Sequence, residues 1–174
     1  MAVGIRPWRP GDAPVIVEAL NDPGVTDNLR DGLPKPYTEA DALKYIIASQ
    51  EEGAYAFAIT EDGAAVGSIQ LSRQGNIHSR TAELGYYVVR RCWGKGIGSE
   101  ALRLACRFAF EQTDLVRIYA EPFVENAASR RAIEKNGFAL EGIMRKNAVK
   151  NGRVRDMCTV SYTHLRAHET DQYL

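Results

Sequence analysis

The chain has 174 residues, 45% of them hydrophobic and 25% charged, which suits one globular domain with a substantial core. Its formal net charge is zero, no apolar run reaches the roughly 20 residues that span a membrane, and no signal-peptide stretch opens the sequence, so we expect a cytoplasmic protein without nucleic-acid or membrane partners. Cys92, Cys106 and Cys158 lack metal-ligand spacing, as do His78, His164 and His168, so we expect reduced thiols and no metal site.

Capping and turn signals divide the chain into alternating strands and helices. Asp12 is placed to cap a first helix, Thr38 with Asp41 resembles a capping box, and Asp62-Gly63 and Asn151-Gly152 are hairpin signals. In chain order, the predicted elements are a strand over 3–9, a helix over 13–20, an irregular loop with one helical turn over 21–37, a helix over 38–52, strands over 54–61, 65–72 and 80–89, a helix over 98–111, a strand over 117–122, a helix over 126–136, and strands over 138–144 and 155–161. This order predicts one α/β (α+β) domain with a mixed sheet.

The segment Arg91-Cys92-Trp93-Gly94-Lys95-Gly96-Ile97-Gly98-Ser99 joins a predicted strand to a predicted helix. Backbone N–H groups and the positive end of the helix dipole meet at such a junction, so the segment predicts an anion site, to which Arg91 and Lys95 add positive charge. Its spacing excludes two nucleotide motifs, because Lys95 is followed by glycine rather than Ser or Thr, and the glycines follow GxGxG rather than GxGxxG. The remaining alternative is that the glycines only make a tight connection.

The spacing Arg91-x-x-Gly94-x-Gly96 resembles the pyrophosphate-binding signature of the GCN5-related N-acetyltransferases (GNAT family). The strand AELGYYV over 82–88 and the segments Asn126-x-x-Ser129 and KNGF over 135–138 are similar to that family in the same order. The run PKPYTEADALKYI over 34–46 is similar to the subgroup of ribosomal-protein N-terminal alanine and serine acetyltransferases. The resemblance implies one domain over 1–160, with a mostly antiparallel mixed sheet of about six to seven strands, flanking helices and two central parallel strands that splay apart.

The resemblance implies transfer of an acetyl group from acetyl-CoA to a primary amine, directly within a ternary complex. The glycine segment would hold the pyrophosphate, and the backbone at 87–89 would bind the pantetheine arm and polarise the thioester carbonyl. The implied CoA-binding residues are Tyr87, Val88, Val89, Arg91, Gly94, Lys95, Gly96, Ile97, Gly98, Ser99 and Asn126. Asn126 is equally suited to be a helix N-cap, and the two roles are compatible.

Two side chains carry the implied chemistry. Glu121 lies where several family members have a catalytic glutamate, and the alternatives are a structural carboxylate there or Glu83 as the base. Ser129 matches a position proposed to protonate the CoA thiolate, whereas Ile133 replaces the tyrosine that many members use. A covalent role for Cys92 is disfavoured because no histidine lies near it in the sequence.

The sequence leaves the identity of the amine acceptor open. Loop residues 21–37 and the hairpin over 147–152 are expected to select it, with Asp27, Arg30, Asp31 and Glu39 as candidate contacts. The subgroup resemblance favours a protein or peptide N-terminal α-amine. A small-molecule amine (a polyamine, an amino acid or an antibiotic) and a non-catalytic acyl-CoA-binding sensor remain alternatives, and the protein is expected to be a monomer or a homodimer.

The C-terminal residues 161–174 depart from the family pattern. The apolar period of the last predicted strand is lost near Val160, and the following residues have no clear periodicity. We interpret 161–174 as a tail outside the domain, either an artificial extension or a poorly ordered segment.

Overall fold

The structure, a computed structural model, describes residues 1–163. Its centre is one seven-stranded sheet with the order β1-β2-β3-β4-β5-β7-β6. The strands are β1 (Val3–Arg6), β2 (Tyr55–Glu61), β3 (Ala64–Arg73), β4 (Thr81–Val88), β5 (Arg117–Ala120), β6 (Ala139–Lys150) and β7 (Arg153–Thr163). Every neighbouring pair is antiparallel except β4 and β5, which are parallel. The predicted mixed, mostly antiparallel sheet is confirmed.

Helices cover both faces of this sheet. They are α1 (Ala13–Leu20), α2 (Pro23–Thr26), α3 (Glu39–Ala48), α4 (Ile97–Gln112) and α5 (Ala127–Lys135). Side chains alternate between the two faces of a strand, so Ile59 of β2 packs in the core under α4 and α5, while its neighbour Ala58 packs in the core under α1 and α3. The sheet is therefore the middle layer of a three-layer domain.

Of the two predicted helix caps, one is confirmed and the other is wrong. Thr38 and Asp41 form the predicted capping box at the start of α3, although that helix ends at Ala48 rather than near residue 52. Asp12 precedes α1 but does not cap it with its side chain. Its carboxylate instead accepts hydrogen bonds from the Arg6 guanidinium at 2.8 and 3.0 Å and from the Arg9 N–H at 2.8 Å. The prediction for Asp12 is therefore wrong, because a cation from β1 takes its oxygens.

The two predicted hairpin turns have the expected backbone. Asp62 and Gly63 have φ angles of 49° and 88°, and Asn151 and Gly152 have 53° and 71°. Two successive positive φ angles are the mark of a type I′ turn, which matches the twist of the flanking strands. The second turn therefore fixes the β6–β7 hairpin, whose strands are longer than the sequence predicted.

The parallel strands β4 and β5 pair over a short distance and then separate. Their register runs through Thr81↔Arg117, Ala82↔Ile118 and Glu83↔Tyr119, and ends there. Beyond that point β4 continues to Val88, so its edge towards β5 lies open. This is the predicted splay, and it creates the opening in which the candidate site lies.

The domain continues past the predicted boundary at residue 160. Strand β7 extends to Thr163, and Ser161 and Tyr162 pair with β5. The Tyr162 ring also packs between Phe110 and Phe138, with ring centroids 5.4 and 5.9 Å away. Residues 161–163 thus belong to the folded domain, while the rest of the predicted tail, 164–174, lies outside the described residues. None of the helices within residues 1–163 has the length and apolar content that crossing a membrane requires.

Candidate active site

A cleft of about 840 Å³ opens between the splayed strands β4 and β5. The start of α4 and the start of α5 border one end, and the loop after α2 borders the other. Of the predicted site residues, the cleft is lined by Tyr87, Val88, Gly94, Gly96, Ile97, Gly98, Ser99, Glu121, Asn126 and Ser129. Val89, Arg91 and Lys95 are not among the lining residues. The structure therefore brings most, but not all, of the predicted positions together.

The glycine segment forms a left-handed turn at the start of α4. Gly94 and Gly96 both have a φ of 76°, a left-handed conformation that disfavours other residues, and a Cβ added to either would meet nothing within 4 Å. Gly96 occupies the N-cap position, where no side chain caps the sixteen-residue helix. The first N–H groups of α4 therefore face the cleft without a capping partner, at the positive end of a long helix dipole.

Gly98 is needed for a different reason. A Cβ at this position would lie 3.0 Å from Cε2 of the Tyr86 ring, so a larger residue would require that ring to shift by a few tenths of an ångström. Next to it, Ser99 accepts hydrogen bonds through its carbonyl and its Oγ from the Asn136 side-chain amide, at 3.0 and 3.1 Å. These contacts hold the first turn of α4 against β4 and the end of α5.

The two predicted cations of the glycine segment are paired outside the cleft. Arg91 Nε donates to Glu18 at 3.0 Å, and Lys95 Nζ donates to Glu61 at 3.1 Å. Both cations are partly exposed, and their role as direct charges on a bound anion stays a prediction. Arg131 of α5, which the sequence analysis missed, lines the cleft and forms no ion pair within residues 1–163. Its only sequence signal was its position two residues after Ser129.

The backbone of β4 offers fewer open groups than predicted. The Val89 N–H donates to the Val66 carbonyl at 2.9 Å, so it is already satisfied. Because backbone groups alternate in direction along an antiparallel strand, the Tyr87 N–H also faces β3, whereas those of Tyr86 and Val88 face the splay. The expected backbone roles of Tyr87 and Val89 are therefore wrong. Of the three predicted residues, Val88 keeps an N–H group that faces the splay, and Tyr86 offers another. The Val88 carbonyl accepts a hydrogen bond from Trp93 Nε1 at 2.7 Å.

Two carboxylates share one cation in the cleft, beside the loop after α2. Glu121 follows the end of β5, Glu83 projects from β4, and Nη2 of Arg30 bonds Glu83 and lies 3.6 Å from Oε2 of Glu121. Burial, and then the charge of Glu83, raise the pKa of Glu121, while Arg30 opposes the shift. The pKa of Tyr119 is also raised, by burial and by both carboxylates. A carboxyl group with a raised pKa in a cleft is suited to accept a proton.

Ser129 lies in the first turn of α5, within reach of a phenol. The Tyr86 hydroxyl donates to Ser129 Oγ at 3.3 Å, and burial raises the pKa of Tyr86. Asn126 Oδ1 accepts the Ser129 N–H at 3.3 Å, so Asn126 is the helix N-cap and lines the cleft as well. Ile133 is buried in the core, as its apolar side chain requires. Sequence reasoning missed Tyr86 because it comes from a strand remote from the helix it serves.

The remaining candidate residues are the cysteines and histidines. Cys92 is buried and contacts Arg91 and Glu61, and no histidine contacts it within residues 1–163. In the same part of the chain, no group of three or more histidine, cysteine or acidic residues is placed to hold a metal ion. His164 and His168 lie outside the described residues.

The loop after α2 and the β6–β7 hairpin, the two segments predicted to select the acceptor, contact each other. Lys150 Nζ donates to Asp31 at 2.7 Å, and the Asn151 side-chain amide donates to Asp27 at 3.0 Å. The Lys150 contact lowers the pKa of Asp31. Arg30 and Asp31 line the cleft, whereas Asp27 and Glu39 do not. Glu39 is instead the first residue of α3.

Comparison with known proteins gives one consistent family. The family model of the acetyltransferase (GNAT) domain matches residues 3–139. The putative ribosomal N-acetyltransferase YdaF of Bacillus subtilis (strain 168) is 35% identical over 96 residues, which cover 55% of this chain and 52% of that protein. The spermidine N(1)-acetyltransferase of Escherichia coli (strain K12) is 28% identical over 117 residues, covering 66% of this chain and 62% of that protein.

The fold comparison extends over nearly the whole chain. The structure of Mycobacterium smegmatis RimJ in complex with CoA-disulfide is 26% identical, with a TM-score of 0.81, and the match covers 96% of this chain and 83% of that one. The chain spans 51 to 59% of the length of the curated relatives that match at 34 to 36% identity.

Proposed function

The chain belongs to the acetyltransferase (GNAT) domain family, and on this premise we propose that it transfers the acetyl group of acetyl-CoA to a primary amine. The observation that carries the proposal is the left-handed Gly94–Gly96 backbone at the uncapped start of α4, which opens into the same cleft as Glu121 and Ser129. An anion cradle and two groups suited to proton transfer thus share one space. That combination fits a phosphate-bearing acyl donor and an amine acceptor.

The donor would lie along the open edge of β4. The cradle from Gly94 to Ser99 would hold the pyrophosphate, and Arg131 would add the positive charge that Arg91 and Lys95 give to Glu18 and Glu61. The Val88 N–H would donate to the thioester carbonyl and stabilise the negative charge that develops on its oxygen. An amide chain suits this edge because a strand edge offers unpaired backbone groups.

The proton steps follow from the two side chains. Glu121 would take one proton from the acceptor ammonium, leaving a neutral nitrogen that attacks the thioester carbon. As the C–S bond breaks, Ser129 would give its proton to the sulfur and recover one from the nitrogen, which becomes the amide. Tyr86 donates to Ser129 Oγ, so the serine proton stays free to point into the cleft. The products are the acetylated amine, CoA as a thiol, and one proton on Glu121.

The acceptor favoured by the sequence is a protein or peptide N-terminal α-amine. The run over 34–46 and the similarity to a protein named as a putative ribosomal N-acetyltransferase support it. A small polyamine is the second candidate, supported by the similarity to a spermidine acetyltransferase and by the Glu83–Glu121 carboxylate pair. A CoA-binding sensor without turnover is the alternative outside enzymes.

A panel of acceptors separates these candidates. Thiol release from acetyl-CoA is measured with a peptide that starts with a free alanine or serine, the same peptide N-acetylated and carrying an internal lysine, and spermidine. Release with the free peptide alone is the expected result. Release with spermidine alone would support the polyamine, and CoA binding without release on any acceptor would contradict the enzyme.

The role of Glu121 is tested by Glu121→Gln, which keeps the shape and removes the proton-accepting oxygen. As pH falls through the raised pKa of Glu121, the wild-type base gains a proton and kcat falls. The variant should lose this acid limb and about 10²- to 10⁴-fold in kcat, with CoA affinity unchanged. Glu125→Gln is the matched control, because Glu125 pairs with Arg153 at 3.0 Å and does not line the cleft. An acid limb that persists in Glu121→Gln would remove Glu121 as the base.

A further inference from the structure

Arg30 reaches from the loop after α2 into the space between two carboxylates. Its Nη2 bonds Oε1 of Glu83 and lies 3.6 Å from Oε2 of Glu121. The Arg30 side chain is 67% exposed, whereas those of Glu83 and Glu121 are 23% and 27% exposed. A largely solvated cation thus occupies a gap between two half-buried anions, and all three residues line the cleft.

The ion pair between Arg30 and Glu83 adds little to the stability of the fold. An ion pair of an exposed arginine contributes little to stability, because ordering the long side chain in solvent offsets its Coulomb energy. The arrangement also leaves one negative charge uncompensated, since neither Glu83 nor Glu121 has a second ion-pair partner within residues 1–163. A gap with two carboxylates and a loosely held cation is suited to exchange that cation for another.

We propose that the gap between Glu83 and Glu121 is the subsite for the ammonium group of the acceptor, and that Arg30 occupies it until the acceptor displaces it. This rests on the proposed acetyltransferase function. The guanidinium of Arg30 stands where a protonated amine would make the same contacts. Arg30 is therefore a competitor of the acceptor, and it determines which cations gain access to Glu121.

The exchange also changes the proton affinity of Glu121. The groups that face it are Glu83 from β4, Tyr119 from β5 and Arg30 from the loop. Burial and Glu83 raise the pKa of Glu121, and Arg30 lowers it. When the acceptor displaces Arg30 and then gives its proton to Glu121, the carboxyl group is left without a facing cation, which favours the protonated form. The displaced arginine thus makes Glu121 a better base at the moment it is needed.

The kinetic test compares Arg30→Gln with Arg153→Gln. Arg153 is a matched control because it is 68% exposed, pairs with Glu125 and does not line the cleft. With the free-amine peptide, Arg30→Gln should lower the acceptor KM up to about fivefold, the size of an exposed ion pair, and leave the acetyl-CoA KM unchanged. The acid limb of kcat/KM should move to higher pH. Arg30→Lys should restore both wild-type values, because it keeps the competing cation.

A raised acceptor KM in Arg30→Gln would overturn the proposal, since it would mean that Arg30 binds the acceptor. An unchanged KM and pH profile would overturn it as well. The same peptide with an acetylated N-terminus is the control ligand for both variants.

A second measurement does not depend on turnover. The Glu121 carboxyl carbon is followed by NMR in the glutamate-labelled protein, with Glu121→Gln assigning the resonance. The free-amine peptide should shift this resonance and the acetylated peptide should not, and Arg30→Gln should raise its titration midpoint. If no acceptor is turned over but the resonance responds in this way, the subsite stands and the proposed reaction fails. If turnover is normal but neither Arg30→Gln nor the peptide changes the resonance, the subsite fails alone.

Discussion

Gly96 provides the sharpest test of the anion cradle, because the chain contains a matched glycine elsewhere. Gly96 and Gly63 have φ angles of 76° and 88°, and a Cβ added to either meets nothing within 4 Å. An alanine in this left-handed conformation costs about 1–2 kcal/mol, so Gly96→Ala and Gly63→Ala should lose a similar free energy of unfolding. Only the Gly96 substitution places a methyl group in the cleft.

The two variants should differ sharply in CoA binding. A methyl group at residue 96 would keep a phosphate oxygen from the N–H groups at the start of α4, and losing one charge-assisted hydrogen bond costs about 1.5–3 kcal/mol. This corresponds to a dissociation constant about ten- to 150-fold weaker, measured by calorimetric titration of CoA. Gly63→Ala should bind CoA like the wild type at equal loss of stability in urea unfolding. Equal CoA affinity in both variants would refute the cradle.

Three further predictions concern side chains around the cleft. Tyr86→Phe and Ser129→Ala should each lower kcat while CoA affinity is kept. The double variant should lose little more kcat than Ser129→Ala alone, because the phenol acts through Ser129. Additive losses in the double variant would show that the two side chains act independently. Arg131→Gln should weaken CoA binding more at low than at high ionic strength, and a loss independent of salt would exclude a charge contact. CoA should change tryptophan emission in the wild type but not in Trp93→Phe, because Trp93 is 50% exposed at the cleft, whereas Trp8 is 3% exposed in the other core.

Elements that depend on neighbouring residues were predicted well from the sequence. The capping box of Thr38 and Asp41 and the turn at Asn151-Gly152 are set by contacts within three or four residues, so the pattern contains all the information they need. The glycine segment belongs to the same class, because glycine is the residue that adopts left-handed φ angles at the least steric cost.

The failures share a different cause, which is a partner remote in sequence. Asp12 has the sequence position of a helix cap, but the Arg6 guanidinium takes its oxygens. Val89 loses its expected role to the carbonyl of Val66 across the sheet. The domain boundary at residue 160 was placed too early because pairing with β5, rather than a periodic apolar pattern, holds the end of β7.

One end of the cleft is formed by local backbone geometry and the other by contacts between segments remote in sequence, and this difference bears on substrate choice. The proposed donor end consists of backbone N–H groups whose direction is fixed by φ angles and a helix start, so it suits one invariant ligand group. The proposed acceptor end contains ion pairs between distant segments, such as that of the exposed Arg30 with Glu83. Exposed pairs of this kind exchange partners at small cost. Substitutions in the loop after α2 should therefore change the amine that is accepted without disturbing the donor.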